Sequence, residues 1–215
     1  MARQLNARFD AVRKRILSLE RCYLSSDVNP LGEYSQEQQD NARAYVLLSH
    51  AEIESFLEEM SLQAGEAAVS FIKSGKYNDL TMRYLYHAGC DAVVSKQKHE
   101  SIYGIVKAFF VFQRNEVAKN HGIKERNFRA LFHYFLFDKE IDSLSILIPS
   151  LDSLGSRRGD YAHNSFLGIS KIINPDDCKI EVESALSSLQ EFSEDFDNFI
   201  SAGFWNGGVA SDGCI

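Results

Sequence analysis

Apolar residues recur at intervals of three and four along most of the chain. Leu5, Phe9, Val12, Ile16, Leu19 and Tyr23 mark one face of a first helix over residues 2 to 24, with Arg and Lys between them. Asn29-Pro30 and Gly32 break that pattern and predict a loop. Tyr45, Leu48, Ile53, Phe56, Leu57 and Met60 predict a second helix from about Ser35 to Ala64, with Gly65 as its C′ residue. "EAAVSFIKSG" reads as a short helix closed by Gly75. "NDLTMRYLYHAG" reads as another, with Asn78 or Asp79 as N-cap and Gly89 as stop. Residues 98 to 120 predict a longer helix ending near "NHG", and "KERNFRALFHYFLF" a compact one. A further helix is expected from Asp138 to about Leu154, with Pro149 either interrupting it or marking its real start. A last helix is expected from Pro175 at N1, capped by Asn174, to about Ala202. No strand-like alternation and no solenoid period appears. The expected class is therefore all-α, an antiparallel helical bundle with additional short helices. One domain is expected over residues 1–202, with helix 2–24 as an extension and 203–215 as a flexible, glycine-rich tail.

Composition narrows the partners. A chain of 215 residues with 45% hydrophobic content can build one cored domain. Its net charge of −7 argues against a broad duplex-binding surface but not against a local basic pocket, so any nucleic-acid contact should be local and selective. Cys22, Cys90, Cys178 and Cys214 have no zinc-ligand spacing and are expected to be free thiols. The charged N-terminus is unlike a signal peptide, and "AFFVF" and "YFLF" are far too short to span a membrane. A cytoplasmic protein without a membrane segment or cofactor is expected.

The chemistry concentrates in "SLGSRRGDYAHNSF", residues 153 to 166. At His163 stands an imidazole, a group that can serve as general acid or base, and Arg157 and Arg158 carry planar donor forks suited to phosphate. Arg with His suffices to cleave RNA: the substrate's 2′-hydroxyl attacks, His moves protons and Arg stabilises the charged phosphorane. Five helical steps from Arg158 to His163 leave the two about 140° apart. Either the helix is distorted near Gly159, or the groups converge in a cleft between two chains; a plain polar helix face is the other reading. Glu52, Glu54, Glu58 and Glu59 lack the Glu-x-x-His pattern of a di-metal bundle, since His50 precedes them, and are expected on a solvated face with one buried member. His87, His99, His121 and His133 have no ligand spacing. Phe128, Phe132, Tyr134, Phe135 and Phe137 could stack bases but fall at core spacing.

"RRGDYAH" resembles the Arg-x4–6-His signature of the HEPN superfamily. "YVLLSHAEIESFLEEM", with acidic Glu54 among apolar residues, resembles an early HEPN helix. The run from "KNHGIKERNFRALF" to "RRGDYAHNS" resembles the RiboL-PSP HEPN subgroup, and the likeness covers about residues 40 to 200. The resemblance implies a helical homodimer whose two motifs line one cleft, and a metal-independent endoribonuclease of toxin–antitoxin or phage-defence systems. A cognate antitoxin or defence-system partner is also implied. The alternative is an inactive HEPN module that binds RNA, a nucleotide or a partner protein. Arg158 and His163 are the implied catalytic pair, with Arg157, Asp160, Tyr161, Asn164 and Glu54 in support. Gly159 stands where family members often carry Asn, Asp or His, which leaves Arg157 as the alternate motif arginine.

Overall fold

The computed structural model describes residues 2–24, 33–92, 102–135, 141–163 and 172–205. The described residues form seven helices, α1 (Ala2–Tyr23), α2 (Gln36–Lys73), α3 (Asp79–Ala92), α4 (Ile102–Val117), α5 (Glu125–Phe132), α6 (Leu144–His163) and α7 (Pro175–Trp205). There is no strand among the described residues, so the all-α expectation holds.

The centre of the bundle is α2, which packs against each of the other six helices. Its start is set by a capping box: Ser35 Oγ accepts from Gln38 N at 3.2 Å, and Gln38 Oε1 accepts from Ser35 N at 2.9 Å. Tyr45, Val46, Ile53, Phe56, Leu57, Met60 and Ala64 are all fully buried along it. Arg8 pairs with Glu59 and Arg15 with Glu52, so α1 runs antiparallel to α2. Between them α1 buries Phe9, Val12, Ile16 and Leu19, each a gain of about 1.5–3 kcal/mol over exposure. The aromatic run of α5 is core: Phe128 and Phe132 meet Phe192 and Phe196 of α7, with centroid distances of 5.2 Å for both Phe128–Phe192 and Phe132–Phe196. Phe137 lies outside the described residues.

Three element boundaries differ from expectation. Gly65 does not end α2. It is buried against α4, where the missing side chain lets Gln113 approach; Gln113 donates to Ser61 O at 3.0 Å and accepts from Tyr84 Oη at 3.0 Å. The helix ends where the backbone turns left-handed, at Gly75 with φ of 75°. Gly89 likewise lacks a positive φ, and α3 continues to Ala92 from its Asn78 cap, whose Oδ1 accepts from Thr81 N at 2.8 Å. Pro149 neither starts nor breaks α6. It is exposed, as is Ser145, whose carbonyl loses its helical donor there, so water can replace that bond. As a result α6 carries the motif stretch to His163 instead of stopping near Leu154. At the other end of the chain Asn174 Oδ1 caps α7 by accepting from Asp176 N at 2.9 Å, and α7 runs to Trp205. The rest of the expected tail lies outside the described residues. Cys22 and Cys178 are free; the side chains of Cys90 and Cys214 are outside the described set. No helix among the described residues is long and apolar enough to cross a membrane.

Candidate active site

Successive residues of a helix point about 100° apart, so Arg157 and Arg158 face different neighbours. The last two turns of α6 lie between α7 on one side and α2 on the other. Arg157 faces α7. Its Nε pairs with the Glu181 carboxylate, and its Nη1 approaches Tyr161 Oη at 3.3 Å and Cys178 Sγ at 3.9 Å. Burial opposes the Arg157 charge, but Tyr161 and Glu181 outweigh it and hold the guanidinium firmly protonated. Tyr161 is buried in the same knot: its hydroxyl lies 3.5 Å from Cys178 Sγ, and its carbonyl accepts from Arg43 Nη2 at 2.8 Å. Burial pushes the Tyr161 phenol upward, so it stays neutral.

Arg158 faces α2. It is half-buried and makes no hydrogen bond or ion pair with another described residue. Its charge is nevertheless felt by His50 and Glu54, one turn apart on α2. His50 is 2% exposed, and its Nδ1 lies 3.6 Å from Glu54 Oε2. Burial, and then the nearby Arg158, lower the His50 pKa to about 4, so the imidazole is neutral at neutral pH. The Glu54 carboxyl is pushed up by burial first and by Glu58 next. The Gly122 amide, Arg158 and His121 pull it the other way without cancelling the rise.

The connection between α4 and α5 closes the other side of this cluster. Asn120 Nδ2 donates to Glu58 Oε1 and to Gly122 O, both at 3.0 Å, and Asn127 Nδ2 donates to Asn120 Oδ1 at 3.1 Å. Gly122 has φ of 150°, a conformation that favours glycine, and this tight path brings its amide to Glu54. The corner is pinned to α6 at Glu125 N, which donates to Asp152 Oδ1 at 2.6 Å, and at Lys124, whose stem lies over Gly155.

The expected site residues thus separate. Glu54 lies within electrostatic reach of Arg158 without pairing with it; Arg157 and Tyr161 are turned into the α6–α7 contact; Asp160 is exposed. His163 is the last residue of α6, but its side chain, like all of Asn164, lies outside the described residues. The helix continues through Gly159, which has no positive φ, and a straight helix leaves positions 158 and 163 on different faces. His50, Asn120, His121 and Gly122 were not anticipated. Only His50 carried a local signal, its i,i+4 spacing to Glu54; the others reach the site through the fold. Among the described residues no group of three or more His, Cys, Asp or Glu could hold a metal.

Neither a curated protein nor a solved structure matches the chain. The RiboL-PSP-HEPN family model matches residues 10–202, from the third turn of α1 nearly to the end of α7. That span takes in the bundle, the Glu54–Arg158 cluster and the whole "RRGDYAH" stretch: the chain belongs to the RiboL-PSP-HEPN family.

Proposed function

We propose that this protein is an endoribonuclease that cuts RNA through the substrate's own 2′-hydroxyl, in a phage-defence or toxin–antitoxin setting. HEPN domains are often ribonucleases, and the observation that carries the reading is Arg158. It follows the Arg-x4-His spacing, keeps its donors uncommitted among the described residues and lies within electrostatic reach of Glu54. In this reading the Arg158 guanidinium contacts the scissile phosphate and stabilises the dianionic phosphorane as charge develops. His163 takes the 2′-hydroxyl proton or gives one to the departing 5′-oxygen. Glu54 is close enough to feel the Arg158 charge without pairing with it, so Arg158 stays available to the substrate. Because His163 stands about 140° around the helix from Arg158, the cleft is proposed to be completed by a second copy of the chain, so that each phosphate meets groups from both. Arg157 and Tyr161 shape the helix that presents the pair, and Asp160 and Asn164 lie close enough in sequence to line the cleft. The chemistry needs no metal, since the substrate supplies the nucleophile.

One observation favours a second reading, a non-cutting module that binds RNA, a nucleotide or a protein partner: Gly159 occupies the position where relatives often carry a polar residue. The test separates the two. Wild-type protein should cut single-stranded RNA, resist chelation by EDTA, leave 2′,3′-cyclic phosphate ends and spare DNA, which has no 2′-hydroxyl. His163→Ala should abolish cutting while the fold and oligomeric mass persist. Wild-type cutting by that variant, or loss of activity on chelation, would overturn the mechanism.

A further inference from the structure

On its outer side the α4–α5 corner opens into a second feature, a groove of about 570 Å³ lined by Phe112, Glu116, Lys119, Asn120, Arg126 and Asn127, with His133 at its edge. That volume falls within the range of roughly 300–1,000 Å³ usual for ligand sites. The groove is not a separate pit. Asn120 belongs to both its lining and the cluster around Arg158, through its bond to Glu58, which sits one turn beyond Glu54 on α2. Asn127 continues the same strip by donating to Asn120.

The cations are graded along this path. Lys124 crosses Gly155, one turn before Arg158 on α6, and Arg126 lies at the groove itself. Arg126 is exposed and makes no hydrogen bond or ion pair with another described residue. Lys119 contributes less, because Glu116 neutralises it at 2.6 Å. Asn127 keeps its Oδ1 without a hydrogen bond to another described residue, and half-buried Phe112 offers a ring.

We propose that this groove is a subsite for a single-stranded RNA segment flanking the phosphate at Arg158. Lys124 and Arg126 take successive backbone phosphates, the Asn127 amide reads a base edge, and Phe112 supplies a stacking surface. A base in a duplex hides its pairing edge, so the subsite selects unpaired RNA. The identity of the ligand rests on the ribonuclease reading, but the groove and its cations do not.

The experiment uses full-length protein, with labelled twelve-nucleotide and three-nucleotide RNAs, the two lengths bracketing what one groove can hold. Binding is read by anisotropy on the His163→Ala protein, with and without Arg126→Glu, and cleavage on the His163 protein. The twelve-mer should bind about tenfold or more tighter than the trimer. Arg126→Glu should remove most of that difference and lower the salt slope by about 0.7 for each phosphate no longer neutralised. In cleavage the same substitution should raise KM for the twelve-mer far more than it lowers kcat. Equal affinity for both lengths, a length advantage untouched by Arg126→Glu, or tight binding of adenosine monophosphate with no length effect would each overturn the subsite. Arg126-dependent binding of the twelve-mer without any cutting would sink the ribonuclease reading and keep the subsite.

Discussion

Arg157 and Arg158 are neighbours in the chain and opposites in setting. Arg157 pairs through Nε with Glu181 on α7, and its Nη1 approaches Tyr161 and Cys178. Arg158 lies within electrostatic reach of neutral His50 and of Glu54 and makes no hydrogen bond or ion pair with another described residue. One rotation of about 100° separates a cation paired with a carboxylate from one that pairs with no described residue. The lesson is that a basic pair cannot be apportioned from its sequence. What decides is which helix lies across from each position, and here α7 brings a carboxylate and α2 brings a carboxylate already engaged by a backbone amide and a histidine.

The comparison breaks most readily by exchanging the two losses. Arg158→Ala should cut the cleavage rate by about 10²–10³, the usual cost of deleting one preorganised donor to a developing anion, while shifting stability by no more than about 0.5 kcal/mol. Arg157→Ala should do the reverse. It removes the cation from Glu181, which is 12% exposed at the side chain and keeps the Ser153 hydroxyl as a donor, and should cost about 2 kcal/mol of stability, less than a fully buried pair; the folded fraction should still cut. Urea melts and initial rates on both variants check this. Equal losses of rate, or rate loss confined to Arg157→Ala, would mean that the wrong arginine has been chosen.

The acid limb of stability sharpens the α2 side of the contrast. His50 has a folded pKa of about 4 against an ordinary 6.5. Above 6.5 it is neutral in both states and its contribution is complete. As pH falls from 6.5 to 4 the unfolded chain takes up a proton that the folded chain refuses, so stability falls, by about 3 kcal/mol at roughly 1.4 kcal/mol per unit. Glu54 works in the opposite sense. Its pKa is raised above the usual 4.5, so as pH climbs past 4.5 the unfolded chain loses its proton first and stability falls. Denaturant titrations between pH 4 and 7 should show a flatter acid limb in His50→Gln and a steeper one in Glu54→Gln. A wild-type slope in His50→Gln would remove His50 from the account.

Much of this was written in the sequence, because helix periodicity and caps are local. Asn174-Pro175 started α7 where the dipeptide said it would, and Gly75 ended a helix as expected, although the helix it ends is α2 and not a separate short one. The HEPN resemblance carried by "RRGDYAH" was likewise legible, and the family match agrees with it. What stayed hidden depended on partners distant in the chain. Gly65 looked like a stop because nothing nearby announces Gln113, which comes from α4 to fill its space. Asn120, His121 and Gly122 read as the end of a helix, and became a wall of the site only when α4 and α5 folded over α2 and α6. The division between Arg157 and Arg158 needed Glu181, more than twenty positions away.

The smallest expected effect probes the geometry on which the contrast rests. Gly159 lies between the two arginines and His163, in α-helix, with no positive φ and with open space where a Cβ would sit. A glycine in such a position loses more backbone freedom on folding than alanine does and gives nothing in return. Gly159→Ala should therefore raise stability by about 0.5–1 kcal/mol, read as a higher urea midpoint at unchanged slope. Its cleavage rate should match wild type, because the added methyl meets no neighbour and the arginines keep their directions. A destabilised Gly159→Ala protein would mean that the chain bends at this glycine. The rotation between Arg158 and position 163 would then no longer be that of a straight helix, and one chain could bring the two together without a second copy.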